Sequence, residues 1–298
     1  GAATADRAPP LKLQVFHRTR YQYASPVSDS FNEARLRPTD TDDQRCERFL
    51  LKVLPATRLS HYLDFQRNYV HLFDVTEPHT ELVVEATSVV DTSGARRLAE
   101  NLATTPLTAM SECARLEGCH DFLQGSKYVD LTPEVWRLAL DVTAGVTDVW
   151  QAAQAMSHHI HREFAYQPAA TNVHTPMMEA LRSKRGVCQD FAHVLIGLCR
   201  SLRIPARYVS GYIYNGPADQ LRGAQASHAW VEVFLPGLGW HGIDPTNGAQ
   251  PDARYVKIGT GRDYGDVSPL RGTYRGTPHR KMTVEVLVTA LGPVPVLT

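Results

Sequence analysis

The sequence predicts an α+β chain: a central helix carrying a cysteine packs on an antiparallel sheet, and an all-β, sandwich-like domain precedes this core. Three observations carry that prediction. The first ninety residues hold short runs of alternating apolar and polar residues separated by turn-formers. A broadly apolar helical pattern begins at Cys188, and two strand patterns joined by Pro236-Gly237-Leu238-Gly239 follow it. Helices first and paired strands after them read as α+β rather than as alternating βα units.

In the N-terminal part, Leu11, Leu13 and Val15 alternate with more polar neighbours, and Tyr21 and Tyr23 continue the period of two after a break. Further strands are expected at 49–54, 69–75 and 81–90, so a β-domain is placed at 11–92. Residues 1–10 have no apolar core and read as a disordered lead-in rather than a signal peptide. Residues 93–298 are read as a helical linker followed by the core. Thr132-Pro133-Glu134 is a helix start, with Thr132 as N-cap and Pro133 at the first helical position. An amphipathic helix is expected over 147–164, and a short helix that opens at Thr175-Pro176 is expected to close at Gly186. The helix from Cys188 runs to Leu202 and ends before Pro205. Strands at 206–214, 229–235, 240–244 and 282–288 complete the core.

The composition narrows the function classes. Thirty-one Lys and Arg balance thirty-one Asp and Glu, with the signs interspersed, which argues against a nucleic-acid binder. The one basic cluster, Arg182, Lys184 and Arg185, reads as a solvated helix end. No run approaches the ~20 apolar residues of a membrane span. Five cysteines, sparse and odd in number, contain no CxxC pair; they suit a reducing, cytoplasmic setting better than a disulfide framework or a zinc ribbon.

Cys188 carries the strongest chemical signal. At the first turn of a long helix its sulfur faces unpaired backbone N–H groups and the positive end of the helix dipole, which favour the nucleophilic, ionised form. Cys199, on the apolar face of the same helix, reads as core. A thiolate needs a base, and the base an orienter. Ser227-His228-Ala229 places a histidine at the start of a strand, and Ile243-Asp244-Pro245 places a carboxylate at the end of the next. The two can meet only if the register suits. A two-residue turn on Gly237-Leu238 would point Asp244 away from His228, whereas an odd loop with Phe234 opposite Trp240 sets them as diagonal neighbours. An odd loop or a bulge is therefore expected, with a small Gly242 leaving room on that face.

The segments GVCQDFAH, RIPARYVSGY, SHAWVEVFLPGLGWHGIDPTN and GRDYGDVSPLRGTY resemble the bacterial transglutaminase-like superfamily of cysteine peptidase relatives over roughly 147–290. His17, Thr19, Tyr21, Tyr23, Pro26-Val27, Glu33 and Leu36-Arg37-Pro38 resemble the β-domain that precedes the core in that family. The resemblance implies a papain-like core with Cys188 as nucleophile, His228 as general base and Asp244 as orienter. Animal crosslinking members carry a Trp directly after the cysteine, where this chain has Gln189, and they carry calcium sites; no EF-hand-like acidic loop is found here. The expected reaction is therefore hydrolysis of an amide bond, peptide or isopeptide, through a thioester acyl-enzyme, with a peptide, a protein or a small amide as substrate. Acyl transfer or crosslinking is the alternative, and a non-catalytic binding module the second. No cofactor and no metal are expected, and the oligomeric state is left open.

Four further readings complete the site. The Cys188 N–H is one oxyanion donor, and Tyr166 is a candidate for the second. Asp190 is expected to accept backbone N–H bonds. His158, His159 and His161 lie close in sequence but lack the carboxylate partner of a metal helix. The β-domain is expected to wall the cleft without supplying a catalytic group.

Overall fold

The computed structural model describes residues 11–116, 118–168, 172, 174–216 and 227–292. The expected lead-in, residues 1–10, lies outside them. Five strands open the chain: β1 (Lys12–Ala34), β2 (Arg45–Leu54), β3 (Leu59–Leu63), β4 (Tyr69–Val75) and β5 (His79–Asp91). β1 runs in two segments. Its first part pairs with β5 from Lys12 to Gln22, and its last residues, Ser30 to Ala34, pair with β4. The ladder breaks between Gln22 and Val27, where Pro26 has no N–H to give. Leu13, Val15, Tyr21 and Tyr23 are buried along β1, as the alternation predicted. Leu51, Val53, Leu82 and Val84 from one arm of the sheet meet Phe73 and Val75 from the other in a shared core.

The helices follow, after two short 3₁₀ segments. They are α1 (Pro133–Val142) and α2 (Val149–Glu163), then α3 (Met177–Ser183) flanked by the two-residue strands β6 (Ala165–Tyr166) and β7 (Arg185–Gly186), and finally α4 (Cys188–Ser201). Thr132 caps α1, its hydroxyl accepting from Val135 N at 3.3 Å, and Asp148 caps α2. α3 ends differently from the expectation: the residue that closes it is Lys184, in the left-handed region at φ 52°, not Gly186. α4 is buried on nearly all sides. Arg200, near its end, donates to the carbonyls of Ala206, Gln124 and Arg262.

The core sheet is β8 (Ala206–Ile213), β9 (Ser227–Leu235), β10 (Gly239–Ile243) and β11 (Tyr255–Gly261), in the order β10-β9-β8-β11 and antiparallel throughout. Ala229, Val231, Val233 and Leu235 point from β9 into one core with Phe191, Ala192, Leu195 and Leu198 of α4. The alternate residues, His228, Trp230 and Glu232, therefore occupy the opposite face. There the Trp230 indole lies across Gly211 of β8 and meets the Tyr255 ring edge-on at 5.3 Å. A Cβ at Gly211 would overlap the Val256 carbonyl oxygen, which is backbone, and would sit 2.6 Å from the indole. Gly211→Ala is accordingly expected to lower stability by about 2–3 kcal/mol in urea denaturation; a loss under about 0.5 kcal/mol would mean that the sheet accommodates the methyl group.

The described residues end with the single-turn helix α5 (Tyr264–Val267) and the strands β12 (Leu270–Arg275) and β13 (Arg280–Leu291). The sequence reading placed one strand here, at 282–288, within the core segment and did not single out β12; neither strand joins the core sheet. They instead return to β1: β13 pairs with Lys12–Tyr23 opposite β5, and β12 pairs with Ser28–Ala34. A strand flanked on one side only would leave a row of unpaired backbone groups, and these two strands supply the second side of β1. The seven-stranded sheet packs on the core through Leu13, Val15 and Val90 against Tyr212, Val256 and Ile258. His17 and the Tyr212 hydroxyl share a 2.6 Å hydrogen bond across that boundary.

Candidate active site

Cys188 is the first residue of α4 and lies buried there. The turn into the helix is built by Asp190, whose Oδ2 accepts from Val187 N at 2.9 Å. Gly186 is required because that carboxylate occupies the space of a side chain: a Cβ would lie 2.6 Å from Asp190 Oδ2. The expected role for Gly186, freeing the approach to sulfur, thus becomes room for Asp190. Backbone pairing of β6 with β7 sets Tyr166 beside Gly186, with Gln167 N donating to Gly186 O at 2.8 Å. The Tyr166 ring packs edge-on against Phe191 and remains more than half exposed. Burial of its hydroxyl, with the charges of Cys188, Asp190 and Asp244 nearby, pushes its pKa up to about 12, so at neutral pH it is a hydrogen-bond donor.

The register expected from alternation is the one found. Phe234 pairs with Trp240 and Val231 with Ile243, around the three-residue loop Pro236-Gly237-Leu238. One step further, Asp244 comes level with Trp230, and its Oδ2 lies 2.7 Å from His228 Nε2. The other imidazole nitrogen is left free of Asp244, and the Cys188 sulfur lies near enough to the ring to favour its protonated form. Gly242 has its expected small size for a different reason: Pro251 packs where its Cβ would be, at 2.7 Å.

Burial opposes a charge on His228, but the Asp244 carboxylate, its hydrogen bond and the Cys188 sulfur outweigh it and raise the imidazole to about 10. Burial also works against ionised Asp244, and His228, Asn247 and Tyr255 together hold that carboxyl below its usual range. The Asp244 side chain is completely buried and saturated with donors: Thr246 N reaches Oδ1 at 2.9 Å, while Asn247 Nδ2 and the Tyr255 hydroxyl reach Oδ2 at 2.7 and 2.8 Å. Neither Asn247 nor Tyr255 was singled out from sequence. The run Asp-Pro-Thr-Asn is a turn signal by which Asn247 could have been found; Tyr255, in a strand the sequence reading passed over, carries no such mark.

The histidine cluster has local partners. His161 Nδ1 donates to Thr246 O at 2.9 Å, so α2 pins the turn that carries Asp244, and the imidazole fills the space beside Gly248, which adopts φ 62°. His159 packs against Phe164. Among the described residues no three His, Cys, Asp or Glu side chains cluster as a metal site would.

A buried imidazole bonded to a carboxylate, with a helix-start thiol beside it, supplies the groups on which thiol chemistry draws. Residues 13–91 match the family profile of the bacterial transglutaminase-like N-terminal region, and residues 137–245 match the transglutaminase-like superfamily. An uncharacterised protein of Mycobacterium leprae is 35% identical over 283 residues, covering 94% of this chain and 99% of its own. The chain belongs to the transglutaminase-like superfamily. Its structure superposes on a candidate cysteine protease of Cytophaga hutchinsonii with a TM-score of 0.80 and 25% identity, covering 98% of this chain and 95% of the other. A protein-glutamine gamma-glutamyltransferase of Pseudomonas aeruginosa is 33% identical over 131 residues, which is 40% of this chain and 19% of that enzyme.

Proposed function

We propose that this protein is a cysteine-dependent hydrolase of an amide bond, in a peptide or an isopeptide, acting through a thioester. The observation that carries the reading is the buried His228–Asp244 pair, 2.7 Å apart, set beside Cys188 at a helix start. The Cys188 sulfur attacks the amide carbonyl, forming a C–S bond while the carbonyl π electrons move to oxygen. That oxygen is stabilised by N–H groups of the α4 start, with the Tyr166 hydroxyl as a second donor. As the C–N bond breaks, the His228 imidazolium gives its proton to the leaving nitrogen. Water then attacks the thioester, His228 takes one of its protons, and the C–S bond breaks to return the thiolate. Asp244 holds the imidazole in the tautomer and orientation that these transfers need.

A second reading replaces water by a primary amine, which makes the reaction an acyl transfer. The partial match to the P. aeruginosa glutamyltransferase favours it. Glutamine-containing and lysine-branched peptide libraries, incubated with and without a primary amine and read by mass spectrometry with ammonia release, separate the two. The expected product is the free acid or the cleaved peptide, in the same yield with and without amine. Accumulation of the amine adduct at the expense of the acid would replace hydrolysis by transfer. The β-domain, docked on β8 and β11, is part of the proposal as a wall that selects substrate. So is a reducing, cytoplasmic setting, supported by five free thiols.

A further inference from the structure

Asp244 accepts more hydrogen bonds than orienting one imidazole requires. Its Oδ2 is shared by three donors: His228 Nε2, the Asn247 side-chain amide and the Tyr255 hydroxyl. Tyr255 does not belong to the neighbouring turn. It comes from β11, at the far edge of the core sheet, and reaches Asp244 beside the Trp230 indole, which itself stacks on the His228 ring with centroids 6.1 Å apart. Burial, together with Asp244, keeps the Tyr255 hydroxyl protonated far into the alkaline range, so it remains a donor at every pH at which the protein would work.

A donor on Oδ2 that is present in both protonation states of His228 draws negative charge away from the bond to the imidazole. We propose that Tyr255, assisted by Asn247, is a positioning residue that limits how tightly Asp244 holds the His228 proton, so that the imidazolium can release it to the leaving nitrogen. The proposal rests on the reading of Asp244 as orienter. Without the hydroxyl, the carboxylate would stabilise the imidazolium more strongly and proton release would slow. The other charged or titratable groups that bear on these residues are Cys188 of α4, which faces His228, Tyr166 of β6, which feels Cys188, Asp190 and Asp244, and Asp252 and Arg254, which flank Tyr255.

The test is an NMR titration of the His228 imidazole in a Cys188→Ala background, which removes the sulfur as a second titrating partner. Tyr255→Phe keeps the ring that packs on Trp230 and removes only the donor. The His228 midpoint is expected to rise by about half to one pH unit, a part of the worth of one hydrogen bond to a charged group, because the hydroxyl donates in both protonation states of the imidazole. Asn247 is exposed, and Asn247→Ala gives a second variant whose midpoint is expected to move the same way, should Tyr255→Phe not fold. Midpoints in both that stay within about 0.2 unit of the parent or fall, with only thermal stability reduced, would overturn the proposal and leave Tyr255 a packing residue. The titration needs no substrate. Its failure is therefore distinct from failure of the hydrolase reading, which retained turnover in Cys188→Ala would expose.

Discussion

Cys188→Ala is expected to remove turnover, with kcat lower by about 10⁴–10⁶-fold, while the protein folds as before. The substitution deletes one sulfur at a helix start and leaves the Asp190 turn and the His228–Asp244 bond in place. Burial pushes up the pKa of each of the other four thiols, Cys119 to about 11 and Cys199 to about 12. They should stay protonated and slow to alkylate near neutrality. Beside Cys188, in contrast, His228 keeps its proton well above neutrality and supplies a positive charge to the sulfur. Brief treatment with iodoacetamide at pH 6 should thus modify Cys188 first, as read by peptide mapping, and Ala at Cys46, Cys113, Cys119 or Cys199 should leave both labelling and turnover in place. Turnover retained by Cys188→Ala would end the thiol mechanism. Labelling of Cys188 no faster than that of Cys46 would favour a binding module instead.

Much of this site was legible because its parts are local or nearly so. The N-cap at Thr132, the helix beginning at Cys188 and the odd loop between β9 and β10 follow from spacing along short stretches. The loop's parity alone decides whether Asp244 can face His228. Features that depend on distant partners were not legible. Residues 282–288 read correctly as part of a strand, which spans Arg280–Leu291, but alternation does not say which edge a strand will join, and nothing local tied it to β1 nearly the whole chain away. β3 was missed because Leu59–Leu63 is exposed along its length and so lacks the one-sided pattern that marks a half-buried strand. Lys184 closes α3 in a conformation in which glycine is the usual choice, which drew the expected end two residues too far, to Gly186. Tyr255 drew no reading, because the strand that carries it was not singled out and only the fold brings its hydroxyl to Asp244.

The largest stability effect is expected on the same sheet face, two residues along β9 from Trp230. Glu232 is buried, its Oε2 accepting from Arg207 Nε at 2.7 Å and its Oε1 paired with Lys257. These three residues join β9, β8 and β11, and the Arg207 guanidinium lies over the Trp240 ring of β10 at 4.3 Å, so all four strands that hold the His228–Asp244 pair meet at one cluster. Burial by itself would raise the Glu232 carboxyl, but the two cations more than offset it and lower the pKa to about 2. Because the folded value lies below the unfolded one, the stabilisation is fully present above the unfolded value of about 4.5 and is lost as pH falls through about 2. Glu232→Gln keeps the shape and removes the charge, leaving two cations without their counter-ion, at an expected cost of about 3 kcal/mol at pH 7. Protonated Glu232 resembles glutamine, so the gap between parent and variant should narrow to about 2 kcal/mol by pH 3.5 and close near pH 2. Urea denaturation of both proteins at pH 7, 4.5 and 3.5 reads this directly. A gap that stays constant with pH would mean that the cost comes from hydrogen-bond geometry and not from charge, and a gap below about 1 kcal/mol at pH 7 would place the cluster with the weak ion pairs of the surface.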